Sequence, residues 1–255
     1  MSKLDVILPA GGRVDDAFAA EAGTPFKAIM EVDGQTVLGR TIRALRGLSE
    51  VDRIVVIGPQ EVQRHADAQL ADLRIDEGKT GPENIFKGLD ALSQHQARSQ
   101  HRILIVTTDL PFLTTALLRS YIDHCPQDKD FTVPLISKRE WAAKYPGAEA
   151  TFIKLRDGEF TTGCAYLASS QGLRRARPHI EKVFENRKSK MGIARMLGPN
   201  FVLKWLTKKL TVADVERKVQ ALLDCSAVAV PDSPPELAFD IDYREDYRYA
   251  RERAD

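Results

Sequence analysis

The chain has 255 residues, 43% of them hydrophobic and 29% charged, with a formal net charge of +1. Such a composition supports a sizeable core and excludes a disordered chain. Near neutrality also excludes polyanion binding driven by the charge of the whole molecule, so any affinity for phosphate has to come from a local patch.

The first predicted element is a strand at Leu4–Leu8. Asp5 stands inside what would be the apolar core of a secretion signal. No run nears the roughly 18–20 apolar residues that span a bilayer. A cytoplasmic location is expected, and Cys125, Cys164 and Cys225, which lack paired spacing, fit a reducing compartment. The strand runs into Leu8-Pro9-Ala10-Gly11-Gly12-Arg13. Two glycines let the backbone approach a ligand and aim successive N–H groups at an anion, although a plain tight turn uses the same residues. The loop has neither the GxGxxG of a Rossmann fingerprint nor the Gly-Lys-Ser/Thr of a Walker loop.

Leu38, Ile42 and Leu45 then mark a helix at i, i+4, i+7, and Arg53–Ile57 is a second buried strand. Asp76-Glu77-Gly78-Lys79-Thr80-Gly81-Pro82-Glu83-Asn84 opens a helix that carries Ile85, Leu89 and Leu92. Thr80 or Gly81 caps it, with Pro82 in its first turn, and its free N–H groups suit an anion or a base edge. A third strand, Arg102–Val106, ends at Thr107-Thr108-Asp109-Leu110-Pro111-Phe112-Leu113-Thr114, with Thr114 capping the next helix. Strand and helix alternating in this way predict a doubly wound α/β sheet that binds ligands at the carboxyl ends of its strands. An Asp at such an edge, here Asp109, suits Mg²⁺, a hard cation that needs oxygen ligands.

In the second half, Asp130–Ile136, Thr151–Leu155 and Cys164–Ala168 read as strands, with a turn at Asp157-Gly158. Residues 174–222 read as largely helical, broken at Gly198-Pro199. Between 172 and 210 lie eleven Lys or Arg against Glu181 and Glu185, and Phe201–Leu206 with Lys208 and Lys209 forms an apolar, basic helix. An anionic acceptor, peripheral contact with an anionic lipid surface and a solvated helix face all fit this region. Nucleic acid is not expected, because no RNA-binding motif accompanies it. After the Pro231–Pro235 connection comes Phe239-Asp240-Ile241-Asp242-Tyr243-Arg244-Glu245-Asp246-Tyr247, where extended backbone turns Asp240 and Asp242 to one face. With no repeat or linker, a single domain over residues 1–255 is expected. Its nucleotide-binding half covers about 1–115 and an acceptor-covering region about 130–225.

Several of these segments together resemble the nucleotidyltransferases of the GT-A fold. They are the glycine loop, Pro25-Phe26-Lys27-Ala28-Ile29-Met30, the helix start at Gly34-Gln35-Thr36-Val37-Leu38, the Asp109 strand end and the Asp240-Ile241-Asp242 segment. The nearest branch is the one similar to molybdenum cofactor guanylyltransferase. The resemblance covers nearly the whole chain. It implies a three-layer α/β/α fold with a mostly parallel, Rossmann-like sheet. It also implies Mg²⁺-dependent transfer of a nucleoside monophosphate from an NTP to a phosphorylated small-molecule acceptor, with release of pyrophosphate.

The same resemblance assigns residues. Leu8, Ala10, Gly11, Gly12 and Arg13 form the nucleotide loop, Lys27 contacts phosphates, and Gly78, Thr80 and Asn84 meet the base and ribose. Asp109 and Asp242 hold the metal, with Asp240 as the alternative to Asp242. Lys27, Asp109 and Arg13 make up the catalytic set. Gly163, closing Phe160-Thr161-Thr162-Gly163, meets the acceptor together with Lys188 and Lys190. The chain departs from the family pattern where 14 residues separate Gly12 from Lys27 and where Arg244 replaces the usual proline. A glycosyltransferase on the same fold, and a catalytically silent nucleotide-binding protein with a regulatory role, are the alternatives.

Overall fold

Buried Val/Ile runs alternate with one-sided helices, so the chain builds a sheet and covers both its faces. The computed structural model describes residues 3–94, 102–186 and 189–253. β1 (Leu4–Pro9) leads through α1 (Asp16–Ala22) and a small hairpin, β2 (Glu31–Val32) and β3 (Gln35–Thr36), to α2 (Val37–Arg46). β4 (Val51–Gly58), α3 (Gln60–Arg64), β5 (Leu73–Asp76) and α4 (Gly81–Gln94) follow. Next come β6 (Arg102–Val106), α5 (Thr115–His124), β7 (Phe131–Ser137) and α6 (Lys138–Lys144). β8 (Ile153–Leu155), β9 (Gly158–Thr162) and β10 (Ala165–Ser169) precede α7 (Ser170–Asn186), α8 (Lys190–Leu197) and α9 (Pro199–Leu206). The chain ends with α10 (Val212–Leu223), β11 (Ala227–Val230) and α11 (Arg244–Glu252).

The main sheet has the order β5-β4-β1-β6-β10-β7-β9-β8, with β11 also paired to β7. β1 runs parallel to β4 and β6, and β4 to β5, while β10 lies antiparallel between β6 and β7. Val6, Ile7 and Leu8 are all fully buried, as a strand covered on both faces requires. Alternation along the strands divides them between two cores. Leu8, Val56, Leu104 and Val106 pack with Leu38, Ile42 and Leu45 of α2. Ile7, Val55, Ile57 and Ile105 pack with Phe86 and Leu89 of α4 and Leu173 of α7. The expected mostly parallel α/β architecture is therefore observed.

A third, aromatic cluster ties the C-terminal segment down. Phe18, Trp141, Tyr145, Phe239, Ile241 and Tyr247 bury together, with Phe239 stacked on Trp141 at 5.7 Å between ring centroids. β9 and β10 are one strand interrupted opposite β7. The register runs Thr162↔Leu135 in β9 but Leu167↔Thr132 in β10, so the strand bulges just after Gly163, whose N–H still donates to the Pro134 carbonyl at 3.0 Å. The Cys164 N–H leaves the sheet to donate to the Leu237 carbonyl at 2.6 Å.

Candidate active site

A cleft of about 370 Å³ opens at the carboxyl ends of β1 and β6, lined by Pro9, Gly11, Gly12, Lys27, Thr108 and Asp109 among others. The Thr108 hydroxyl donates to the Pro9 carbonyl at 3.0 Å and holds the two strand ends together. The stretch between Gly12 and Lys27 folds back on itself. Asp15 caps α1, Gly23 ends it at φ 75°, and the Val14 N–H donates to the Pro25 carbonyl at 3.0 Å. The Lys27 N–H then donates to the Gly12 carbonyl at 3.0 Å, so the unusual spacing still returns the lysine to the loop. A Cβ on residue 12 would lie 3.3 Å from Lys27 Cδ, because the lysine stem rests on the glycine. Leu8 and Ala10 are fully buried in the core, and Pro9 between them lines the cleft.

Asp109, Asp240 and Asp242 converge, with one oxygen from each within 4.8 Å of the others. The Ile241 N–H donates to the Asp109 carbonyl at 3.0 Å, and Phe239 and Ile241 are buried. The alternate residues Asp240 and Asp242 are thereby turned to the cleft. Asp246 Oδ2 accepts the N–H groups of Asp242 and Tyr243 at 3.0 and 2.7 Å and fixes this turn. The Lys27 ammonium pairs with Asp242 and lies 3.8 Å from Asp109 Oδ2.

Electrostatics follow from this crowding. Burial opposes the charge on Lys27, but Asp109, Asp242 and Asp240 together hold it above its ordinary value. Burial, with Asp109 and Asp242 alongside, pushes the Asp240 carboxyl up to about 7. Burial also raises Asp109, against the pull of Lys27. Burial and the neighbouring Asp240 and Asp109 carboxylates push the half-buried Cys164 thiol well above its ordinary value. Asp109 Oδ1 is buried and has no hydrogen-bond partner. Three carboxylates sharing one lysine, one of them with an orphaned oxygen and no Cys or His among them, fit a hard divalent cation such as Mg²⁺.

Gly78, Thr80 and Asn84 line the opposite wall. Thr80 caps α4, since its hydroxyl accepts from the Glu83 N–H at 3.2 Å. The Gly78 N–H donates to Asn84 Oδ1 at 2.5 Å, which engages the amide carbonyl and leaves the NH₂ on the Gly11 side. Arg13 lies over the Phe26 ring at 5.1 Å, donates to the Gly11 carbonyl at 2.9 Å and pairs with Glu77. That hydrogen bond to Glu77 raises the Arg13 pKa. Glu77 is packed against Gly11 so closely that a side chain at 11 would collide with its carboxylate.

Residues 6–191 match the model of the MobA-like NTP transferase domain. The chain belongs to the MobA-like NTP transferase family. It is a nucleotidyltransferase, so the glycosyltransferase alternative falls away. A structure described as a hypothetical transferase from Thermus thermophilus is similar at TM-score 0.83 and 27% identity, over 96% of this chain and 99% of that one. The 4-diphosphocytidyl-2C-methyl-D-erythritol synthase of Anaerococcus prevotii shares the fold at TM-score 0.59 and 14% identity, over 98% and 95% of the two chains. The 2-C-methyl-D-erythritol 4-phosphate cytidylyltransferase of Thermus thermophilus does so at 0.55 and 18%, over 98% of each chain. No curated protein matches the sequence.

Elsewhere in the transferase, Gly163 is buried against Pro134 and Leu237; a Cβ there would sit 2.8 Å from the Leu237 carbonyl oxygen, so close packing requires a glycine at this position. Lys188 and the side chain of Lys190 lie outside the described residues. Several cations of the basic stretch are engaged in ion pairs. Arg174 and Arg177 pair with Asp90, Arg175 with Asp130, and Lys204 with Asp214. Arg244 is the first residue of α11, a position that needs no backbone donor, so arginine replaces proline there without disturbing the turn. Glu77 and Asp246 escaped the sequence reading. Asp246 carried a signal, a carboxylate in the first turn of a helix, whereas nothing local pairs Glu77 with Arg13.

Proposed function

We propose that this transferase moves a nucleoside monophosphate from an NTP to a phosphorylated small-molecule acceptor and releases pyrophosphate. The observation that carries the reading is the convergence of Asp109, Asp240 and Asp242 around an unpartnered Asp109 oxygen, beside Lys27 and the glycine loop. Asp109 and Asp242 would hold Mg²⁺, with Asp240 adjoining. A cation bound there would supply charge neutralisation to the phosphates.

The N–H groups of Gly11 and Gly12 cradle the triphosphate, and the Asn84 NH₂ donates to the base or ribose. Lys27 leaves the carboxylates for the phosphates and offsets the charge that builds up there. An oxygen of the acceptor phosphate bonds to the α-phosphorus while the bond to the bridging oxygen of pyrophosphate breaks. That oxygen is already ionised at pH 7, so no general base is needed, and no histidine among the described residues lines the cleft. Pyrophosphate release, measured for each NTP against a panel of phosphorylated acceptors, tests the reading. It should require both substrates and Mg²⁺ and stop with EDTA. Nucleotide binding without release for every combination would favour the silent regulatory protein.

A further inference from the structure

Most large apolar side chains of the protein are covered, yet Leu203, Trp205 and Leu206 are 59%, 57% and 65% exposed. All three project from the last turn of α9, and Ile193 of the preceding helix is exposed as well. Lys208 and Lys209, exposed in the turn that follows, have no ion pair among the described residues. Asp214, which pairs with Lys204 of α9, is also matched by Arg217. The patch is therefore apolar at its centre and cationic at its rim.

The neighbouring surface continues in kind. The Arg156 N–H donates to the Leu210 carbonyl at 2.7 Å and the Val212 N–H to Asp157, so the β8–β9 turn is tied to the connection after α9. That hairpin brings in Ile153, 56% exposed, and walls an apolar cavity of about 390 Å³ under α10, lined by Val133, Leu155, Phe160 and Val215.

We infer that the last turn of α9 is a peripheral docking surface for an anionic lipid bilayer. A protein partner needs a shaped complement, whereas a bilayer takes Trp and Leu at the headgroup boundary and holds lysines by its surface charge. The patch has these parts, and its charge is complementary to an anionic leaflet. Among the described residues no helix is long and apolar enough to cross a membrane, so contact of this kind stays at the surface. The inference concerns a face separate from the cleft and stands whether or not the proposed reaction is correct.

Tryptophan emission tests it in the intact protein. Trp141 is buried, at 3% exposure, so a change on adding vesicles reports Trp205. Vesicles of phosphatidylcholine with a quarter phosphatidylglycerol should shift the emission to the blue and pellet the protein, and pure phosphatidylcholine should do so far less. Lys208→Ala with Lys209→Ala should weaken partitioning by about thirty-fold, the weight of two lysines at an anionic leaflet. Trp205→Ala with Leu206→Ala should abolish it while nucleotide binding persists, which also shows that the variant folds. No shift and no pelleting with anionic vesicles would overturn the inference. So would a concentration-dependent dimer lost in the Trp205→Ala, Leu206→Ala variant, because the face would then belong to a second copy.

Discussion

Asp109 concentrates the chemistry at one residue. Asp109→Asn keeps the shape and removes the charge, so it should lower turnover by at least about a thousand-fold, as expected for a required metal ligand worth several kcal/mol. Thermal stability should hold or rise, because a half-buried carboxylate no longer needs compensation. Lys27 offers a sharper test, since it neutralises the carboxylates in the metal-free protein. Lys27→Met should cut kcat by about 10²–10³ yet tighten Mg²⁺ binding in the absence of nucleotide. Calorimetric titration that found weaker Mg²⁺ binding would show that the lysine does not compete for the site. Asp240 supplies the pH dependence. Its carboxyl is raised to about 7, so metal binding must displace a proton below that pH. Apparent Mg²⁺ affinity should climb as pH rises through 7 and level off above it. The metal-free protein should lose stability over the same rise, because native Asp240 binds its proton more tightly than the unfolded chain does. Asp109 and the two glycines were legible in the sequence because their chemistry depends on residue type beside a strand end, whereas Lys27 came from the family resemblance. Glu77 was not legible, because it has a partner that no local pattern reveals.

Elements carry these residues to one place, and the bulge at Gly163 is the most exposed link. A Cβ there meets the Leu237 carbonyl and Pro134, and neither is a flexible side-chain end. Gly163→Ala should therefore cost about 1–3 kcal/mol of stability, measurable by urea denaturation. It should also lower kcat, because the displaced backbone leads directly into Phe239 and the Asp240–Asp242 segment. An alanine variant with wild-type stability would show that the bulge relaxes freely. β6 was readable to the residue as an Ile/Val run between a charged start and a Thr/Asp end. The α7–α10 stretch was readable by composition, with its break at Gly198, where φ is 81°, and Pro199. β5, β9 and β11 were not. β11 is the four residues Ala-Val-Ala-Val, and β9 takes its form from pairing with β7 rather than from its own sequence. The capping box of α6, Ser137 with Glu140, was a signal available in the sequence for a helix that the reading passed over.

At the scale of the molecule, the site exists because the sheet order returns the C-terminal segment to the strand ends of the N-terminal half. Ile241 hydrogen-bonds to Asp109, and the aromatic cluster around Phe239 joins α1, α6 and α11 behind it. No periodicity or spacing announces that meeting; it came from the family resemblance, and the geometry now supplies its physical cause. Under the proposed function these carboxylates hold the divalent cation that the reaction needs. The most direct measurement is a crystal structure with Mn²⁺, a Mg²⁺ surrogate visible by anomalous scattering, and a non-hydrolysable NTP in the cleft. The expected result is one anomalous peak ligated by Asp109 and by Asp242 or Asp240 as well as by the triphosphate, with oxygens near the roughly 2 Å of a Mg²⁺ shell, and Lys27 moved onto phosphate. A cation held by the triphosphate alone, with Lys27 still paired to Asp242, would contradict it.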